Sequence, residues 1–450
     1  MNSRMWIAIA WLLVAGWQIV CSDFDIILRS NLPDINAVTQ SESRGLYDAD
    51  PSHIWNRLHR HFHVRVAPTG EEFGEDEIDP LLWLETKYLL TGPSHEKALR
   101  LLDEFMEKRA ERLINDPLKR AVFQHDLWAV FDWLVRTSHT YPVERRELAS
   151  KLARVIRSLA LTRDQINQMP DNYAAAVASK AFAERYDPDR SEQAFLPPDM
   201  FNARGSWVAI NSFGEPIALS HAHTFSHSSF SIFISLPAGR EATISYLKKL
   251  WEFPQPFVLD RMFPDEQRAK LNPDLPQLPY GAKLALVRKM LLIDDRGDIV
   301  PSNFTESVQM RVFHAPSRVD YPTEPDFAGD QDFFVFKMSR RKLFAGESGG
   351  LRAVQKGEKE FIVFSSHGYD MFEQSIEQAL WRRMPVTLHS CAACHRNQGI
   401  HSVLIAGKML KPNSFRNYFH PQSEPHAAAE WKRRRYDWGL MQGLWQSSAR

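Results

Sequence analysis

The hydrophobic period of this chain changes once, near Pro197-Pro198, and that change narrows what the chain can fold into. Before it the period is helical. Ala98, Leu101, Leu102 and Phe105 make one apolar stripe, Phe123, Leu127, Phe131 and Leu134 a second, and Leu148, Leu152, Val155 and Leu159 a third. Asp116-Pro117 reads as a helix N-cap followed by proline at the first helical position, and Pro142 separates the next pair. After the change the apolar residues alternate: Phe230, Ile232, Ile234 and Leu236 share one side of a strand and Ser231, Phe233 and Ser235 the other. Ser206 to Ile210, Phe333 to Lys337 and Phe361 to Phe364 are further strand candidates. Asp294 to Asp298 reads as a hairpin turn between the apolar run Lys283 to Ile293 and a strand from Ile299 to Phe313. Helices followed by strands imply an α+β multidomain chain. The expected layout is a mainly helical domain over 23–199, a β-rich domain over 200–368 and a C-terminal helical segment over 369–450.

Smaller elements complete that outline. A strand is expected at His61 to Val66, a solvated acidic loop at Glu71 to Asp79, a proline-rich surface excursion at Pro254 to Pro279 and a turn at Gly346 to Gly350. Phe372, Ile376 and Leu380 recur as on a helix that stops at Met384-Pro385, and Glu424 to Trp445 reads as the last helix. At the other end, Arg4 followed by the apolar run Met5 to Val20 resembles an export signal, with Val20 and Ser22 fitting cleavage before Asp23. The run is shorter than the roughly 20 residues a membrane span needs. Residues 1–22 are therefore expected to be removed, leaving no stable membrane span. Lys plus Arg and Asp plus Glu are 55 each, a balance that argues against a nucleic-acid binder.

Removal of the signal would also remove Cys21, one of three cysteines, and leave Cys391 and Cys394 alone in the mature chain. They stand in Cys391-Ala392-Ala393-Cys394-His395. Two intervening residues make one turn, so both thiols face one way and the imidazole comes directly after. Cys-x-x-Cys-His is the attachment signature of c-type haem, and this segment resembles the c-type cytochromes. The resemblance covers the C-terminal segment only. It implies one covalent haem c held by thioethers from Cys391 and Cys394, His395 as the proximal iron ligand, and an exported, bacterial-periplasmic protein with a redox partner of unknown identity. Family members supply a methionine as sixth ligand, and Met409 and Met441 are the two downstream. The function expected is electron transfer. A haem-dependent oxidoreductase or peroxidase-like enzyme with an open iron site is one alternative, because some 300 residues precede the haem segment. A zinc-stapled protein, with Cys391, Cys394, His395 and His401 as ligands, is another.

Two histidine clusters could hold a second metal or reach the haem. His59, His61 and His63 alternate, so on a strand all three would face one way; His221 and His223 would share a face of an extended segment with His227 beyond. The bland readings are a polar strand face and a hydroxyl-rich loop. His389, His401, His420 and His426 lie near the motif, each more simply a surface residue. Asn303-Phe304-Thr305 matches a glycosylation acceptor that a periplasmic protein would not use. Lys432 to Arg435 reads as a solvated helix face, or a dock for an acidic redox partner.

Overall fold

The computed structural model describes residues 45–68, 70–78, 86–136, 140–211, 216–259, 269–314, 331–359, 372, 386–395, 399–403, 417–418 and 423–448. The export signal, the strand at Phe361 to Phe364 and the helix through Ile376 lie outside the described residues. Leu46–Arg450 form one compact unit.

In chain order the helices begin with α1 (Ile54–His63), α2 (Gly92–Glu107), α3 (Pro117–Val135), α4 (Pro142–Ser158), α5 (Arg163–Asn167) and α6 (Asn172–Ala178). Next come α7 (Leu219–Thr224), α8 (Arg240–Trp251), α9 (Arg340–Phe344), α10 (Thr387–Cys394), α11 (Gly399–Val403), α12 (Ser423–Arg433) and α13 (Tyr436–Ser448). The strands are β1 (Arg65–Val66), β2 (Glu72–Phe73), β3 (Val208–Asn211), β4 (Ser228–Ser235), β5 (Phe257–Leu259), β6 (Ala269–Leu271), β7 (Lys283–Ile293), β8 (Ile299–Phe313), β9 (Gln331–Met338), β10 (Leu351–Ala353) and β11 (Asn417–Tyr418). The mixed α+β class is as expected. Among the described residues no helix is long and apolar enough to cross a membrane.

The main sheet has seven strands in the order β10-β9-β8-β7-β4-β3-β11, every neighbouring pair antiparallel. Both of its faces are covered. Phe233, Ala285, Val287, Val308 and Phe336 pack on one side with Tyr173 of α6, while Val208, Phe230, Ile234 and Leu284 pack on the other with Leu247 of α8. A third cluster joins α1 to α4 with α13 and with Leu291, Ile293 and Ile299 at the β7–β8 hairpin. Helices and sheet thus share one continuous interior.

Helix α3 lies at the centre of that interior. Asp116 caps it, its carboxylate accepting from the Leu118 amide at 2.8 Å, and Pro117 opens it. From Ala121 to Leu134 every residue is buried, including Gln124, His125, Asp126 and Asp132. A helix buried all round must pair its polar side chains with other elements. Gln124 does so as a strand would: its amide donates to the Ile293 carbonyl at 2.9 Å and accepts from the Ile293 amide at 2.9 Å.

Several local expectations are corrected. Ile54, Trp55, Leu58 and Phe62 give residues 54–63 a helical stripe, so His59, His61 and His63 lie on α1 and the strand is confined to Arg65–Val66. The acidic run is tied down: β2 pairs with β1, and Asp76 accepts from the Arg340 and Arg341 amides. Residues 254–279 contain the β5–β6 hairpin and two buried leucines, Leu275 and Leu278. The final helix is two, α12 and α13.

One contact tests the packing of α6. Gly349 has φ +59°, and a Cβ there would stand 1.9 Å from the Asn172 carbonyl oxygen. Asn172 also links β8 to this turn, accepting from the Thr305 amide at 2.7 Å and donating to the Gly349 carbonyl at 3.1 Å. Gly349→Ala is expected to cost more than about 2 kcal/mol, from left-handed strain plus overpacking. Urea unfolding checks it; a loss below about 0.5 kcal/mol would mean the turn moves freely away from α6.

Candidate functional site

The Cys391–His395 motif occupies the last turn of α10 and its C-cap. The His395 amide donates to the Cys391 carbonyl at 3.0 Å, closing the turn, and the His395 backbone then leaves helical geometry at φ −105°, ψ 31°. Cys391 is half-buried, and Cys394 is the final residue of α10. Helix α11, just beyond the motif, determines the state of the imidazole. His395 Nδ1 lies 2.9 Å from the Ser402 carbonyl of α11, and a carbonyl can only accept. Nδ1 therefore carries the proton, and Nε2 keeps its lone pair.

That arrangement is anchored to the sheet. Arg311 of β8, itself buried, donates to Ser402 Oγ at 3.0 Å, and Ser402 Oγ donates to the Gly399 carbonyl at 2.8 Å. Gln331 of β9 donates to the His395 carbonyl at 3.0 Å. Burial, then the Arg311 charge, push the His395 pKa down to about 4, so at neutral pH the ring is uncharged. His221 of α7 is near enough to act on His395 electrostatically. Its own pKa is also lowered to about 4, by burial first and then by Arg288 and Arg311. Around them lies the apolar cluster of Ala222, Phe230, Phe313 and Ile400, with Phe225 and Val403 at its margin.

Met441 is fully buried in the cluster of Trp128, Leu152 and Trp438, to which no described motif side chain belongs. Met409 and His420 lie outside the described residues, as does the side chain of His389. His401 is half-buried, with Nε2 enclosed and no hydrogen-bond partner among the described residues, and His426 is exposed. The second histidine cluster does not form an extended face, because Leu219–Thr224 is helical: His221 is half-buried against Phe230, His223 is exposed and His227 is buried in a separate network.

His227 belongs to a closed polar network built on α3. Asp132 accepts from Lys432 Nζ at 2.7 Å and Ser226 Oγ at 2.9 Å, with His227 Nδ1 at 3.2 Å. Lys432 also meets Asp437 at 3.0 Å. Lys432 is therefore no part of a solvated basic face; it is fully buried, because only there can it answer the Asp132 carboxylate. Beside this group His125 Nε2 lies 3.3 Å from Glu306, which accepts from Ser228 Oγ at 2.8 Å and forms an ion pair with Arg288 at 2.8 Å. Glu306 is a β-bulge residue: Arg288 pairs with Ser307 and Lys289 with Thr305, leaving Glu306 opposite neither and turned inward. Every member is buried.

Sequence reasoning missed Ser402, Arg311 and Gln331, which orient the motif; Gln331 does so from 64 positions away. Only Ser402 was near enough to the motif to be found by proximity. A search for related proteins finds no matching family, no matching curated protein and no matching solved structure.

Proposed function

We propose that this is an exported c-type haem protein that carries electrons, its haem attached through Cys391 and Cys394 and its iron held by His395. The observation that supports it most is the Ser402 carbonyl on His395 Nδ1. A metal-ligating histidine typically donates its other ring nitrogen to a carbonyl, which sets the tautomer and the ring plane. Here the neutral ring, its available Nε2 and the rigid sheet behind it fit an axial ligand. Bound haem would supply a one-electron iron couple.

The surrounding residues would tune that couple. With haem bound, the buried Arg311 charge would oppose the extra positive charge of oxidised iron and so would favour the reduced state. His221, a second neutral imidazole, would be our choice to complete the iron's ligand set, and a complete set would separate a carrier from an enzyme with open iron.

The test is a pyridine haemochrome spectrum with intact mass on chain exported alongside c-type maturation machinery. A c-type band and the added mass of one haem are expected, and both are lost or weakened in Cys391→Ala. Bare polypeptide would overturn the reading, and bound zinc in its place would favour the metal-stapled alternative. On loaded protein, His221→Ala is expected to turn a low-spin spectrum high-spin. A wild type that is already high-spin and binds cyanide would replace the carrier with the peroxidase-like enzyme.

A further inference from the structure

His59, His63 and Asp126 lie apart from the haem motif and play no part in that proposal. We infer that they form a binding site for a divalent transition-metal ion of the zinc class. His59 and His63 are one turn apart on α1, their rings stacked at 5.3 Å between centroids and 22° between planes. Asp126 comes from the facing α3. One ligand atom from each of the three residues falls within 4.8 Å of the other two, and all three are buried. His61 does not belong with them: it turns away to the Ser94 carbonyl at 2.8 Å and to Tyr88.

An independent observation points to an occupant. His59 Nε2 lies 2.9 Å from the Glu75 carbonyl and must donate to it, so Nδ1 is the bare nitrogen. That nitrogen is enclosed, with no hydrogen-bond partner among the described residues, in a residue 2 % exposed. A buried acceptor left without a donor is costly, and a metal ion would relieve it.

The outer contacts are those of a ligand set. The Glu75 carbonyl orients His59, and Arg340 grips both oxygens of Asp126, with Tyr47 beside them. Ligating carboxylates are commonly held in this way. The Arg340 charge also decides the class of metal. It cancels the Asp126 charge, so attraction must come from nitrogen donors. That disfavours calcium and magnesium, which want several oxygens, and favours ions that bind imidazole.

The experiment uses the full chain, stripped with a chelator, supplied with zinc, passed over a sizing column and analysed for zinc content and X-ray absorption. One zinc per chain is expected, with a first shell of nitrogen and oxygen near about 2.0 Å and no sulfur near about 2.3 Å. His63→Gln should release it, while His61→Gln and Cys391→Ala should keep it. Absence of retained zinc in the wild type overturns the inference, as does a sulfur shell, which would place the ion at the cysteine motif. Should His63→Gln fail to fold, the absorption spectrum of the wild type decides alone. The outcome is independent of haem content, which the haemochrome reports separately.

Discussion

Lys432→Met is expected to lower the free energy of unfolding by about 3–5 kcal/mol, the loss typical of breaking a buried ion pair from one side. The ammonium sits between Asp132 and Asp437, at 2.7 and 3.0 Å, and Ser226 Oγ completes its contacts at 2.9 Å. Removing it leaves the buried Asp132 carboxylate with Ser226 and His227 alone, among the described residues, to answer it. Adding Asp132→Asn should restore a large part of the loss, because the stranded charge disappears with it. Urea midpoints for the two single variants and the double variant measure the coupling. A cost below about 1 kcal/mol for Lys432→Met would show that α12 is not held by this pair.

Acid should unfold the protein over a broad range, with Glu306 contributing about 3 kcal/mol of the loss. Burial alone would raise its carboxyl, but Arg288 and His125 outweigh burial and hold the pKa down to about 2, against an ordinary 4.5. Between those values the unfolded chain binds a proton that the folded chain does not, so stability falls as pH falls, by about 1.4 kcal/mol per pH unit. Asp132 adds a loss of the same sign: Lys432 and His227 overcome the effect of burial there and hold its carboxyl below the usual range. His221 extends the range upward, since it stays neutral in the fold down to about 4 and protonates near 6.5 when unfolded. Unfolding free energy measured from pH 7 to pH 3 should decline throughout. In Glu306→Gln the slope below pH 4.5 should flatten; an unchanged slope would remove Glu306 from this role.

The contrast between stripes and pairings explains what could be read in the sequence. Ala98, Leu101, Leu102 and Phe105 form a one-sided stripe and are buried as such, so α2 was legible. Phe123, Leu127, Phe131 and Leu134 gave α3 its helical period, but the side opposite is buried too. Nothing local announces that Gln124, His125, Asp126 and Asp132 are inside, because their partners are Ile293, Glu306, Arg340 and Lys432. The period-two spacing of His59, His61 and His63 misled for a related reason. Their apolar neighbours Ile54, Leu58 and Phe62 are spaced for a helix, and burial tracks the apolar residues. In the motif, Cys391, Cys394 and His395 are recognisable because the spacing itself carries the chemistry. The carbonyl that sets the tautomer of His395 depends on a fold no local pattern encodes.

Helix α3 also bears on how the chain is made. Its hydrogen-bonding partners stand 169 positions away at Ile293, 214 at Arg340 and 300 at Lys432. During synthesis a helix complete by residue 135 must wait, with its charged and amide side chains still needing water, until residue 432 has left the ribosome. Contacts of such separation fold slowly. A growing chain that cannot close its own centre remains a substrate for chaperones until that distant partner has been made. If it is exported as proposed, the delay has a use: an incomplete interior keeps the polypeptide threadable, and α12 locks it only when Lys432 has crossed.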